Sequence, residues 1–172
     1  MVLFALNLRP SMGAHMAGYF CTCELTLVSK LESLKEISPW LKKAWDQYKL
    51  PDCRRFDLSV CLYEAVANIS MYAYERPMGQ RILVALKVRD NLVEITVEDD
   101  GRPFNPLDHP ETSPPSSICD ATIGGHGIAI IRRLSDRLDY ERRASHNIFT
   151  ITHCLIKSSD NPKDYDKTSD GN

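Results

Sequence analysis

The sequence predicts an α/β (α+β) two-layer sandwich, in which a mixed, mostly antiparallel sheet carries helices on one face. Three observations predict this fold. Runs of alternating apolar and polar residues, typical of strands with one buried face, recur near the start, the middle and the end of the chain. Segments with apolar residues at helical spacing lie between them. The outward positions of one run are polar, which indicates a sheet with one wet face.

The first half of the chain supplies one strand and two helices. Residues 20–28 alternate as a half-buried strand, and residues 29–32 (SKLE) then fit a capping box. A first helix with an apolar stripe runs to about Leu50, and Pro39 within it indicates a kink or a restart. A second helix is expected over residues 57–74, where apolar side chains share one face.

The second half supplies the rest of the sheet and a third helix. Residues 82–88 and 93–97 alternate and predict an antiparallel hairpin. Residues 105–123 hold four prolines and no period, so a long functional or mobile loop is expected there. The remaining elements are a helix and two strands, placed after Gly127, at 137–141 and at 148–156.

Length and composition exclude several classes of protein. A chain of 172 residues suits one domain, and 21 basic against 23 acidic residues favour neither nucleic acid nor a membrane as a partner. The early apolar run, residues 2–6, is too short for a signal peptide, and no segment is long enough to span a membrane, so a cytoplasmic location with reduced thiols is expected. The predicted division is an arm (1–18, disordered or non-native), a folded domain (19–156) and a polar disordered tail (157–172).

Glu64 and Asn68 are the first candidates for a chemical role. They lie four residues apart on the second predicted helix, so their β-carbons are about 5 to 6 Å apart on one face. A carboxylate so placed can accept a proton, and an amide oxygen can bind a hard cation such as Mg²⁺. Two ordinary polar residues on a solvated helix face are the alternative, and the pair alone does not decide between the two.

Two glycine-bearing segments are the next candidates. Residues 99–104 (DDGRPF) directly follow a strand, where Asp99 can accept a hydrogen bond from an amino group and Gly101 allows a ligand close to the backbone. Residues 124–127 (GGHG) open a helix, whose free amides and dipole favour phosphate. A plain turn and a glycine hinge are the alternatives, and the spacing fits neither a P-loop nor a Rossmann motif.

The order of these motifs along one domain resembles the GHKL ATPase superfamily, which includes gyrase, Hsp90, histidine kinases and mismatch-repair ATPases. Within it, the chain is most similar to stand-alone anti-sigma factor serine kinases over about residues 20 to 156. The segments that carry the resemblance are Tyr63–Asn68, Ala73–Tyr74, Asp99–Pro106, Gly124–Ile128 and Asn147–Thr150. The turn at residues 144–147 lacks the glycine that is frequent in that family, His126 replaces an apolar residue, and Tyr72 replaces a histidine.

The resemblance implies a Bergerat-type ATPase fold, in which residues 19–156 form a histidine kinase-like ATPase domain with a mobile ATP lid. It implies that Glu64 is the general base, that Asn68 binds Mg²⁺, and that Asp99 recognises the adenine amino group with support from Thr150. The full set of residues that it implies for ATP is Asn68, Asp99, Gly101, Pro103, Phe104, Gly124, Gly125, His126, Gly127, Ile128 and Thr150. His126 has an alternative role in packing at the helix entry.

The resulting hypothesis is a serine/threonine kinase that binds ATP and Mg²⁺, phosphorylates a STAS-type anti-sigma factor antagonist and sequesters a sigma factor. The alternatives are a nucleotide-gated binding module without catalysis and a histidine kinase catalytic domain that acts in trans. The resemblance also implies a homodimer, to which the strand at residues 21–27 and the region of Trp40 and Trp45 would contribute. The alternative for these residues is that they complete the core of the monomer.

Overall fold

The computed structural model describes residues 21–75, 79–89, 91–108 and 126–155. Five strands form one sheet in the order β1-β2-β3-β5-β4. Their bounds are Cys21–Val28 for β1, Arg81–Arg89 for β2, Leu92–Asp99 for β3, Arg137–Arg143 for β4 and His146–Cys154 for β5. All four pairings are antiparallel, so the parallel pairing expected of a mixed sheet does not occur among the described strands.

Three α-helices pack on one face of this sheet. They are α1 at Ile37–Tyr48, α2 at Arg55–Tyr72 and α3 at Gly127–Leu134. Short 3-10 helices occupy Leu31–Glu36, Asp52–Arg54 and Pro106–Asp108. One hydrophobic core joins helix residues such as Leu58 and Leu62 to strand residues such as Leu86 and Ile95. The predicted α+β two-layer fold is therefore confirmed.

Alternation along the strands separates a buried face of the sheet from a half-exposed one. In β3 every second residue is buried from Val93 to Asp99, whereas Glu94, Thr96 and Glu98 on the other face are half-exposed. Period-two alternation of this kind turns one set of side chains toward the helices. The predicted outward orientation of the polar residues on β3 is therefore confirmed.

The segment between β1 and α1 differs from the predicted capping box. The 3-10 helix begins at Leu31 after Lys30, and no side chain caps it. The Ser29 hydroxyl is buried without a hydrogen bond from the described residues, while its backbone N–H donates to the Gln80 carbonyl at 2.8 Å. The predicted capping box is wrong because Ser29 is held against the sheet.

Pro39 lies in the first turn of α1, which matches the predicted restart of the helix.

The two tryptophans lie in the monomer core. Trp40 is 8% exposed and Trp45 is 2% exposed, and their indole N–H groups donate to the carbonyls of Glu24 and Pro51. These two side chains therefore complete the core of the monomer, and a contribution of the surrounding region to a dimer stays a prediction. The arm at 1–18, most of the loop at 105–123 and the tail at 157–172 lie outside the described residues.

A two-residue turn joins β4 to β5. Arg143 pairs with His146 across the hairpin, and the intervening Ala144 and Ser145 have φ angles of 46° and 70°. Two successive left-handed residues make the type of turn that suits the twist of a hairpin, and glycine or asparagine usually occupies it. Here alanine and serine hold that conformation, at a cost of about 1 to 2 kcal/mol each.

The buried side chain of Arg54 connects the residues just before α2 to the last residue of β5. Arg54 is 5% exposed, and its Nε donates to the Cys154 carbonyl at 2.9 Å. Its guanidinium also lies 3.2 Å from a carboxylate oxygen of Asp57 and 3.2 Å from one of Asp136. Two carboxylates and a carbonyl therefore compensate the buried charge, as such a group requires.

His153 lies beside this arginine cluster and is fully buried on β5. Neither ring nitrogen has a hydrogen bond partner among the described residues. Burial lowers the pKa of His153 below its ordinary value; Asp136 and Asp57 act to raise this pKa, and Arg54 acts to lower it. The folded protein therefore holds a neutral imidazole at this position, and a proton on it would be poorly solvated.

We predict that His153 makes the protein less stable in mild acid. The pKa of His153 in the folded protein lies below its unfolded value of about 6.5. As the pH falls below that value, the unfolded chain binds a proton at this histidine while the folded chain does not. The free energy of unfolding should then fall with a slope approaching about 1.4 kcal/mol per pH unit, until the folded pKa is reached. Urea unfolding from pH 7.5 to 5 measures this slope, and His153→Leu should reduce it.

The matched control is His146→Gln, because His146 lies at the start of the same strand and its ring is not enclosed by the core. This variant should keep the slope of the unmodified protein. Equal slopes for the protein and for His153→Leu would contradict the prediction.

Candidate functional site

A cavity of about 350 Å³ opens between α2, α3 and the ends of β3 and β5. This volume lies within the range of small-molecule sites. Its lining consists of Ala65, Asn68, Ile69, Tyr72, Ala73, Asp99, Arg102, Phe104, Pro106, Gly127, Ile128, Ala129, Arg132, Tyr140, Asn147 and Phe149. Most of these side chains are apolar, and the polar ones include Asn68, Asp99, Arg132 and Asn147.

Asp99 forms the polar group at one end of the cavity. It is the last residue of β3 and is 4% exposed. Its Oδ1 accepts hydrogen bonds from the Gly101 N–H at 2.8 Å and from Nδ2 of Asn147 at 3.0 Å. Its Oδ2 accepts none from the described residues, so this oxygen is free to accept a donor from a ligand. Asp99 is thus a buried acceptor in the wall of a mostly apolar cavity.

Burial is the main influence on the ionisation of Asp99. It raises the pKa of the carboxyl above its ordinary value, and the charge of Asp100 acts in the same direction. The hydrogen bonds from Asn147 and Gly101, together with the charge of Arg142, act to lower this pKa. These donors therefore support the charged form that accepts hydrogen bonds.

Asn147 lies directly opposite Asp99 in the pairing of β3 with β5. Its Nδ2 donates to Asp99 and also to the Arg102 carbonyl at 3.0 Å. Its Oδ1 accepts hydrogen bonds from Arg142 Nη1 at 2.6 Å, from the Tyr140 hydroxyl at 2.8 Å and from the backbone N–H of Phe104 at 3.4 Å. One amide thus joins β3, β5, β4 and the segment after β3.

Gly101 allows the segment after β3 to lie against the end of α2. A β-carbon at this position would lie 2.7 Å from both the β-carbon and the carbonyl oxygen of Ala73. The next residue, Arg102, donates its N–H to that same carbonyl at 3.0 Å. The Tyr74 hydroxyl donates to the Asp100 carboxylate at 2.8 Å. A glycine is needed here because of this close approach.

Glu64 and Asn68 meet the start of α3 at the other end of the cavity. Gly127 is the first residue of α3, and a β-carbon on it would lie 2.6 Å from Oε2 of Glu64 and 3.1 Å from Nδ2 of Asn68. Both side chains therefore approach the backbone where α3 begins. Free amides and the positive end of the helix dipole favour a negative charge there.

The described residues contain no cluster of three or more histidine, cysteine, aspartate or glutamate side chains that could hold a metal by themselves. Mg²⁺ needs only one or two protein ligands when phosphate oxygens and water supply the others. Asn68 and Glu64 are the oxygen-bearing side chains at this end of the cavity.

Comparison with known proteins identifies the architecture. The family model of the histidine kinase-like ATPase domain matches residues 27–153. The chain belongs to this family. The ATPase domain is also 33% identical over 100 residues to the serine/threonine-protein kinase BtrW of Bordetella bronchiseptica, which covers 57% of this chain and 69% of that protein.

A solved structure supports the fold of the ATPase domain. The RsbU and RsbW domains of a Mycobacterium tuberculosis protein match it with a TM-score of 0.56 and 17% sequence identity. The match covers 78% of this chain and 32% of that chain. Together with the family model and the kinase relative, this structure confirms the predicted GHKL resemblance.

No helix among the described residues is long and apolar enough to cross a membrane.

The ATPase fold brings several of the predicted site residues together. The cavity lining includes Asn68, Asp99, Phe104, Gly127 and Ile128. Two more predicted residues lie next to this lining: Gly101 beside Asp99, and Glu64 beside Gly127.

Other predicted residues lie outside the lining. Pro103 is exposed, and His126 precedes α3 as its N-cap without a side-chain capping bond. Gly124 and Gly125 lie outside the described residues.

Thr150 does not support Asp99 as predicted. Its side chain leaves the opposite face of the sheet, where its hydroxyl oxygen lies 3.5 Å from that of Thr96. Asn147, three residues earlier on the same strand, makes the hydrogen bond to Asp99 instead. Sequence analysis missed this role because it requires the register between β3 and β5, and the asparagine after the turn was the one signal available.

Arg132 is a second residue that sequence analysis missed. It lies on α3 and lines the cavity, and its Nη2 donates to the carbonyls of Pro106 at 3.3 Å and Leu107 at 2.6 Å. It therefore attaches α3 to the beginning of the long proline-bearing segment. A single arginine in a basic pair carries no sequence signal for this contact.

We predict that alanine is tolerated differently at the two glycines of the site. Gly101→Ala should lower the free energy of unfolding by about 1 to 3 kcal/mol, because its β-carbon meets the backbone carbonyl of Ala73. Gly127→Ala should change it by less than about 1 kcal/mol, because the flexible end of Glu64 can move aside and alanine favours a helix. Urea unfolding measures both values, and equal costs would contradict this account.

Proposed function

We propose that this ATPase domain is a serine/threonine kinase that uses ATP and Mg²⁺ to phosphorylate a STAS-type anti-sigma factor antagonist. We further propose that it sequesters a sigma factor when that antagonist is not available. The observation that carries the proposal is the approach of the Glu64 carboxylate and the Asn68 amide to Gly127 at one end of the cavity. The identity to a serine/threonine-protein kinase over 69% of that relative's length supports it.

The residues present fit an adenine nucleotide. The unpaired Oδ2 of the buried Asp99 suits an exocyclic amino group, and Phe104 and Ile128 supply apolar contact for a base. Because Gly127 has no β-carbon, the Glu64 carboxylate and the Asn68 amide approach the backbone where α3 begins. In this proposal Asp99 holds the base, while the backbone at the start of α3 and Asn68 hold the phosphates and Mg²⁺.

Glu64 has the position of a general base in this proposal. ATP would supply its γ-phosphoryl group and leave as ADP, and Mg²⁺ held at Asn68 would neutralise negative charge on the phosphates. Glu64 accepts the proton from the attacking serine or threonine hydroxyl, while Asn68, on the same helix face, holds Mg²⁺.

The proposed partners are a sigma factor and its STAS-type antagonist, and the proposed location is the cytoplasm, where such partners act. We also propose a homodimer. With Trp40 and Trp45 buried, support for it comes from β1, which lies at one edge of the sheet formed by the described strands. An edge strand is a place where a second chain can add by backbone pairing. A monomeric mass at micromolar concentration would contradict this dimer.

The kinase proposal predicts that Glu64→Gln separates transfer from binding. Removing the base should slow phosphate transfer from ATP to the antagonist by about 100-fold or more, while ATP affinity changes by less than about 3-fold. Asp99→Asn should instead weaken ATP binding by at least about 10-fold, because the acceptor loses its charge. Radiolabel transfer and titration calorimetry measure these two quantities.

Glu98→Gln is the matched control, since Glu98 neighbours Asp99 but leaves the other face of the sheet. It should change neither transfer nor binding. Undiminished transfer in Glu64→Gln would contradict the kinase. ATP binding without transfer would favour the nucleotide-gated switch, and phosphohistidine on the partner would favour a histidine kinase domain acting in trans.

A further inference from the structure

We propose that Arg142 and Tyr140, on the edge strand β4, are positioning residues that set the preference of the site for adenine, which carries an amino group at the position where guanine carries a carbonyl. They act through Asn147, whose amide they hold in one orientation. This inference rests on the proposed function, because it concerns the base end of the same nucleotide site. Neither residue belongs to the motifs from which the site was predicted.

The amide of Asn147 is held by donors that cannot reverse their role. Its Oδ1 accepts from Arg142 Nη1 at 2.6 Å and from the backbone N–H of Phe104 at 3.4 Å, and both groups can only donate. The Tyr140 hydroxyl donates to the same oxygen at 2.8 Å. Rotation of the amide by 180° would place its NH₂ group against these donors. Arg142 and Phe104 therefore exclude that rotation.

The fixed amide determines what Asp99 presents to the cavity. The Nδ2 of Asn147 donates to Oδ1 of Asp99 at 3.0 Å, and the Gly101 N–H donates to the same oxygen at 2.8 Å. Oδ1 is thus occupied, and Oδ2 is left as an acceptor. If the amide turned, its carbonyl oxygen would face a carboxylate, and the repulsion would move or protonate Asp99.

An acceptor held in one position, here Oδ2 of Asp99, can distinguish purine bases by whether they present a hydrogen-bond donor to it. An exocyclic amino group, as on adenine, donates to Oδ2, whereas the exocyclic carbonyl of guanine would face it with a second acceptor. A site built around a buried polar group rejects a ligand that leaves the group unpaired. The preference requires that Asp99 remain charged and fixed, which is the contribution of Arg142 and Tyr140.

Arg142 lies outside the hydrophobic core, so it can be replaced without disturbing the packing of the core. Arg142 pairs with Asn147 across the β4–β5 hairpin, and as a residue it is exposed. Its Nη1 also donates to the Gly101 carbonyl at 3.1 Å, so one guanidinium reaches both supports of Asp99. The adjacent Arg143 leaves the other face of the strand, where it pairs with Glu141 at 2.8 Å. Arg143 therefore provides a control of the same residue type.

The test measures the dissociation constants of ATP and GTP, each with Mg²⁺, by titration calorimetry. Arg142→Met keeps the length of the side chain and removes its donors, and it should reduce the preference for ATP over GTP by about 10-fold. Tyr140→Phe removes one hydroxyl and should reduce the preference by about 3-fold. Arg143→Met should leave the preference within about 2-fold of the original value.

A second readout uses the protein without nucleotide. Tyr140→Phe changes no charge, so a rise in the pKa of the Asp99 carboxyl in this variant, measured by carbon NMR, would report a loosened Asn147 amide. An unchanged ATP preference in both variants would overturn the inference while leaving the proposed function intact. Equal loss of ATP and GTP affinity would also overturn it, since that is the result of a purely structural role. Failure of the unmodified protein to bind either nucleotide would overturn the proposed function together with this inference.

Discussion

A carboxylate almost removed from water, that of Asp99, is the constraint on which its part of the cavity depends. A buried charge is stable only if the protein solvates it, and here two donors do so. The Gly101 N–H requires the chain after β3 to turn back against Ala73, and the Asn147 amide requires β5 to lie beside β3 in one register. The wall of the cavity is therefore shaped by the need to satisfy one side chain.

Helix α2 connects this end of the site to the other. Glu64 and Asn68 lie in its middle, beside Gly127, whereas Ala73 just beyond its end accepts the hydrogen bond from Arg102. Ala73 follows Glu64 by nine positions in the chain, which corresponds to a rise of about 14 Å. Because a helix of this length is rigid, the group proposed for catalysis and the group proposed for base recognition keep a fixed separation. The two roles are nevertheless separable, since they reside in different side chains.

Sequence patterns predicted the elements but not the contacts between them. Alternation located the strands, and the spacing of Glu64 and Asn68 placed them on one helix face, because both signals depend only on neighbours in the chain. Asn147 and Thr150 are polar residues on one strand, and only the pairing with β3 shows that the first faces Asp99. The contacts of Arg54 with Asp136 and Cys154 span 82 and 100 residues, so no local pattern reveals them. For the same reason, the capping-box pattern at residues 29–32 failed where the sheet held the backbone of Ser29.

The turn at Ala144 and Ser145 fixes the register that places Arg142 opposite Asn147. Gain or loss of one residue there would exchange the two faces of a strand, which would remove either the asparagine from Asp99 or the arginine from the asparagine. If Arg142 and Tyr140 have the role proposed for them, substitutions in β4 would change nucleotide preference while the fold persists, provided that the hairpin keeps its length. Selection on this turn should act on insertions and deletions more strongly than on amino-acid identity, even though its backbone is strained.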